Sequence, residues 1–180
     1  MLSITIPAGE MWDEVNEEFL YSKGQTVQLE HSLVSLSKWE SKWCKPFLSR
    51  EEKSDREIID YVRCMTLTQN VDPRVYEHLS DDNISDIQRY IDAPMTATTF
   101  SIDPSERDNG SIITAEIIYY WMVSFRIPFE CQKWHLNRLL TLIKVCERKN
   151  RPPKKMSGKS IMSRNARLNA QRRARLNSRG

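Results

Sequence analysis

The positive charge of this chain is gathered at one end. Of its 27 Lys+Arg, 12 fall within residues 148–180, a stretch with no Asp or Glu. The other 15 share residues 1–147 with all 24 acids, so that part carries −9 and the tail +12. Ile161, Met162, Leu168 and Leu176 are nearly all the apolar material of the tail. So little apolar surface cannot repay the entropy of ordering a like-charged segment. The globular part must therefore be residues 1–147. Residues 148–180 read as a basic flexible or helical tail, entered through the linker RPPKKMSGKS.

Residues 1–147 have the material for one core. The chain is 39% hydrophobic and 28% charged, the balance of a globular protein. No apolar run approaches the roughly 20 residues that span a bilayer, so no membrane partner is expected. The start MLSITIPAGEMWDE has neither a basic n-region nor a long apolar stretch, unlike a signal peptide. Cys44, Cys64, Cys131 and Cys146 are scattered, with no CxxC pair, and read as reduced and buried.

The fold class expected is α+β: a small N-terminal antiparallel sheet packed with a mostly helical remainder, then a C-terminal helical hairpin and the basic extension. Leu2, Ile4 and Ile6 alternate with Ser3 and Thr5, giving a short strand that Pro7 stops. Residues 19–21 and 26–30 read as hairpin arms around Ser22, Lys23, Gly24 and Gln25, which makes a sheet of about three strands within 1–31. Helices fill 32–92. Leu33, Leu36, Trp39 and Trp43 recur at helical spacing and end before Pro46. SREE at 49–52 reads as a capping box opening a helix whose apolar face is Ile58, Ile59, Val62, Met65 and Leu67. Asp72 before Pro73 starts a short helix, RVYEHL, and SDDNISDIQRYI makes another. Periodicity stops over 93–110, which reads as a loop, with 101–110 its most protease-sensitive part. Residues 111–147 form the hairpin. Thr114 caps a first helix burying Ile117, Ile118, Trp121, Met122 and Phe125. A second runs from 129 to 147 with Leu136, Leu139, Leu140 and Ile143 on one stripe.

That second helix puts Cys131 and His135 four residues apart, with Cys146 beyond. One helix would separate Cys131 from Cys146 by about 22 Å, too far for one ion. A closed zinc site needs about four ligands. A Cys–His dyad needs an orienting third group that the sequence does not offer. These three read as core or helix-interface residues, and no metal is expected. GxGxxG, Walker, HExxH and GxSxG motifs are absent, so no cofactor and no catalytic residue is assigned. Trp39, Trp43, Trp121 and Trp134 read as core. Trp12, within the acidic GEMWDEVNEEF, is a candidate partner anchor. In the tail, Arg164, Arg167, Arg172, Arg173 and Arg175, with Arg179, are candidate partner contacts. They suit nucleic-acid phosphates or an acidic protein. The −9 body opposes approach to a phosphate backbone, so the protein partner is preferred.

Four blocks carry a resemblance. LEHSLVSLSKWESKW at 29–43, CMTLTQNVDP at 64–73, PMTATTFS at 94–101 and ITAEIIYYWMVSFRIPFECQKWHLNRLLTLIKVC at 113–146 resemble the tail assembly chaperones of long-tailed bacteriophages. The resemblance extends through RPPKKMS into the basic end. It implies a non-enzymatic protein of the infected bacterium's cytoplasm, with tape-measure and tail-tube proteins as partners. Such a chaperone holds the amphipathic helices of the tape measure, here in the groove of the helical hairpin, before the tube closes. Two alternatives stand beside it: a nucleic-acid-binding phage protein using the tail, and a minor structural protein at the tail or head–tail junction.

Overall fold

The computed structural model describes residues 1–13, 17–100, 112–151 and 158–176. The fold is α+β. Its strands are β1 (Leu2–Ile6), β2 (Gly9–Asp13), β3 (Glu18–Ser22) and β4 (Gln25–Leu29). Its helices are α1 (Leu33–Trp43), α2 (Asp55–Met65), α3 (Asp81–Asp92), α4 (Ala115–Ser124), α5 (Leu136–Asn150) and α6 (Gly158–Leu176). Short 3-10 helices stand at Pro73–His78 and Phe129–Lys133. The chain divides into two compact units, Met1–Arg148 and Lys149–Gly180.

The strands correct the expected sheet. β4 pairs with β1, Leu2 opposite Leu29 and Ile6 opposite Gln25. β3 pairs with β2, Gly9 opposite Ser22 and Asp13 opposite Glu18. Both ladders keep one register, so residues 2–13 and 18–29 run as one antiparallel ribbon interrupted at 7–8 and 23–24. The turn expected at 22–25 is therefore the interruption, and β3 and β4 are successive pieces of one arm. Pro7 lacks an N–H for the ladder, which explains the break. Gly9 is fixed by space, because a Cβ there would run into the His78 ring.

Helix starts follow a repeated device. The side chains of Ser32, Ser54 and Ser80 each accept an N–H from the third residue of α1, α2 and α3, and each serine donates its own N–H to that residue's side chain. The box opening α2 is thus Ser54 with Glu57, not SREE at 49–52: Glu57 Oε2 accepts from Ser54 N–H at 2.8 Å. SxxE occurs twice there, and only the second copy leads directly into the buried face. Ser54→Ala should cost about 1 kcal/mol and lower the unfolding midpoint by about 2–4 °C. Ser49→Ala should stay within about 0.5 kcal/mol of the parent. Chemical denaturation of the two variants separates the two boxes.

Among the described residues, two apolar clusters result. The first gathers Ile4, Ile6, Val27 and Leu29 from the ribbon with Trp39, Tyr61, Val62, Met65, Ile87 and Tyr90. The second joins Leu33 and Leu36 to Ala115, Ile118, Met122, Leu136, Leu139 and Ile143. Helix α1 belongs to both, with Trp39 on one side and Leu33 and Leu36 on the other. Trp39 is fully buried, and its Nε1–H donates to the Glu57 carbonyl at 2.9 Å. Ile58 and Leu67, expected in the core, are 42% and 54% exposed. Ile58 sits one helical position off the buried stripe, and Leu67 lies beyond the end of α2.

The hairpin is also revised. The chain from 129 is a 3-10 helix to Lys133, Trp134 is extended, and α5 begins only at Leu136. Pro128 fits ahead of a tight turn but does not start a long α-helix. The nearest backbone partner of α4 is α1 rather than α5. Thr114 stands at the N-cap of α4 without a side-chain hydrogen bond. Its role passes to Glu40 of α1, whose Oε2 accepts from Ala115 N–H at 2.7 Å and whose Oε1 accepts from Phe47 N–H at 2.9 Å. Residues 93–100 are irregular, and the predicted protease-sensitive segment 101–110 lies outside the described residues.

Candidate partner-binding surfaces

Helix α4 is apolar nearly all round: AEIIYYWMVS. A helix of that kind is normally covered on every side. Here only Ala115, Ile118 and Met122 are buried, while Tyr120 is 68% and Val123 61% exposed. Beside this uncovered face, Trp121 and Phe125 of α4 meet Leu140 and Ile143 of α5 across an open groove of about 390 Å³. Ile113 also lines it, and Lys144 and Glu147 add charge. The groove exists because α4 and α5 do not pack backbone to backbone, leaving large side chains to fill the space incompletely.

A second apolar groove, of about 350 Å³, runs between α2 and α3. Ile58, Ile59, Val62, Ile84, Ile87 and Ile91 line it, which accounts for the exposed Ile58. A third cleft, about 620 Å³, is polar and holds Lys42, Arg56, Arg63, Asp60 and Glu77. There Lys42 is paired with Asp60 and Arg63 with Glu77, so much of its charge is neutralised internally.

Cys131 and His135 are not on one α-helical face, since a 3-10 turn and an extended residue separate them from α5. His135 instead caps α5. Its carbonyl accepts from Leu139 N–H at 3.1 Å, and its Nδ1 accepts from Asn137 N–H at 3.3 Å. Nε2 then carries the proton and donates to the Tyr90 carbonyl at 3.0 Å. Both ring nitrogens are committed to the protein, leaving neither to activate a thiol. Cys131 is buried and Cys146 half-buried, both within or against the second cluster. Among the described residues no group of three or more His, Cys, Asp or Glu is placed to hold a metal ion.

The partner of His135 is one that spacing did not reveal. His31 stands against it edge-on, ring centroids 5.2 Å apart, and its Nδ1 meets the Tyr61 hydroxyl at 2.6 Å. Burial, and then the neighbouring His135, holds the His31 pKa down to about 3. Burial also lowers that of His135. The Tyr90 hydroxyl donates to Glu30 at 2.8 Å on the same side. This buried chain lies where the two apolar clusters meet. The sequence contains 3 histidines, yet their meeting depends on tertiary contact alone.

Trp12 is placed in β2, opposite Phe19, and its side chain lies outside the described residues. Arg164, Arg167, Arg172, Arg173 and Arg175 all fall on α6, none of whose residues is buried. Arg179 lies outside the described residues. Among the described residues, no helix is long and apolar enough to cross a membrane. Comparison with family models, with curated proteins and with solved structures finds no match to this chain.

Proposed function

We propose that this protein is a non-enzymatic tail assembly chaperone of a long-tailed bacteriophage. It acts in the cytoplasm of the infected bacterium and holds amphipathic helices of the tape-measure protein until tail-tube subunits enclose them. The observation that carries this reading is the uncovered apolar face of α4 and the groove beside it. An amphipathic helix laid there would cover Tyr120, Trp121 and Phe125 and leave its polar side in water. The resemblance supports the same surface, because the longest resembling block, 113–146, supplies almost all of the groove lining.

Tyr120→Glu with Phe125→Gln places polar groups on the uncovered face of α4 and in the groove. The pair should weaken binding of a helical tape-measure segment at least about 10-fold, since burying even one large apolar side chain is worth about 1.5–3 kcal/mol. Leu67→Gln, on an exposed position outside the groove, should leave the affinity unchanged. Isothermal titration with the folded variants reads both. Unchanged affinity in the double variant would remove the groove from the function.

A further inference from the structure

Helix α6 is 19 residues long, contains six cations and no acid, and has no buried residue. At 1.5 Å per residue it extends about 28 Å. Five of its cations are arginine: Arg164, Arg167, Arg172, Arg173 and Arg175. We propose that α6 is a nucleic-acid-binding helix that grips the phosphate backbone through Arg164, Arg167, Arg172 and Arg175, with Asn165 and Asn169 beside them facing the bases. This goes beyond the groove reading and does not depend on it.

The arginines repeat as two i,i+3 pairs, Arg164 with Arg167 and Arg172 with Arg175. Eight residues, about 12 Å of helix, separate the pairs. At 3.6 residues per turn these four side chains leave the axis within an arc of about 140°, so one strand or groove wall can meet them all. Asn165 and Asn169 are one turn apart and lie about 20° and 60° beyond that arc. Arginine binds phosphate through two parallel N–H bonds, and asparagine carries the donor and acceptor that a base edge pairs with.

Apolar contact with a protein is the competing use, and the spacing argues against it. A helix that packs in a protein groove presents three to four apolar residues every two turns. Along α6, Ile161, Leu168 and Leu176 come once in about two turns, and Met162 is 75% exposed. Charge is therefore the dominant recognition feature. At physiological salt the field of an exposed charge is largely screened beyond about 8 Å, so the direct contacts of the arginines decide what α6 binds. Like charges at i,i+3 also weaken a solvated helix, so an anion laid along α6 stabilises it as it binds.

The full chain is titrated into labelled duplex DNA of random sequence, and into an RNA hairpin with as many phosphates, between about 50 and 200 mM salt. With four phosphates contacted, affinity should fall roughly 10²-fold over that range, and helical circular dichroism should rise on binding. R164Q/R167Q/R172Q/R175Q should lose most of the salt slope. Its unfolding midpoint should stay at the parent value, because no α6 residue is buried. Tighter binding of DNA or of RNA identifies which backbone is preferred, and either supports the proposal. A poly-glutamate chain of equal charge that binds as tightly as both overturns it in favour of an acidic protein. So does a quadruple variant that keeps the parent's slope.

Discussion

Glu40→Ala should lower the unfolding free energy by about 2–5 kcal/mol and the unfolding midpoint by about 10 °C. The carboxylate is nearly buried, 7% exposed, and satisfies the backbone N–H groups of Phe47 and Ala115 at once. Alanine leaves both donors without a partner, each at about 1–3 kcal/mol. It also removes a negative charge from the N-terminus of α4, where the helix dipole favours one. Glu40→Gln keeps a single acceptor oxygen and turns an NH₂ toward the second N–H, so about half the loss should remain. Calorimetry and urea titration of the two variants check the ranking. A loss below about 1 kcal/mol for alanine would show that water replaces the carboxylate, and that α1 does not anchor α4.

The second large effect is acid sensitivity. An unfolded histidine titrates near 6.5, whereas folded His31 is held at about 3 by burial and by His135. The folded pKa is depressed, so the unfolded chain binds the proton first. Stability is complete above about pH 6.5 and is lost as pH falls toward 3. One such histidine removes about 1.4 kcal/mol per pH unit within that window, and His135, also lowered, adds to the slope. The Tyr61 and Tyr90 hydroxyls, Glu30 and the Met1 amino group paired with Glu30 are further titratable groups in this chain of contacts. By pH 4 His31 alone should have removed about 3.4 kcal/mol, so the urea midpoint of the body should fall steadily between about pH 6.5 and pH 4. His31→Gln keeps an acceptor for Tyr61 and does not titrate, so its stability curve should be flatter by about one proton. Glu57, held at about 2 first by the hydrogen bond from Lys45, acts in a separate window below about pH 4.5. A parent protein whose stability is level from pH 7 to pH 4 would show that the histidine pair is open to water.

What was legible in the sequence were the short-range features. The α1 stripe of Leu33, Leu36 and Trp39, the Asp72–Pro73 start and the alternation of Ile4 and Ile6 are written in neighbouring residues. The SxxE box was legible as a pattern but not as a place, because two copies stand five residues apart. Strand pairing was not legible. Lys23-Gly24 has turn chemistry, and only the opposite arm, broken at Pro7-Ala8, shows it to be an interruption. Glu40 with Ala115 and His31 with His135 meet across 75 and 104 positions of chain, where no local period applies. The uncovered face of α4 had a sequence signal, an apolar run without a polar side. The run alone does not tell a fully buried helix from one that awaits a partner.

Helix α1 serves both apolar clusters, and this bears on where the chain can be cut. A fragment ending near residue 100 would keep α1 but present Leu33 and Leu36 to water. A fragment beginning near 112 would keep α4 and α5 and lose the Glu40 carboxylate that holds Ala115. Neither piece is an autonomous folding unit, although the irregular stretch from 93 invites division there. Amide exchange should accordingly find one opening free energy for β1, β4 and α5, since the exposure of either cluster exposes the helix that the other needs. Complementation is the natural use of such a joint: the two fragments, mixed, should recover one shared core where each alone stays soft.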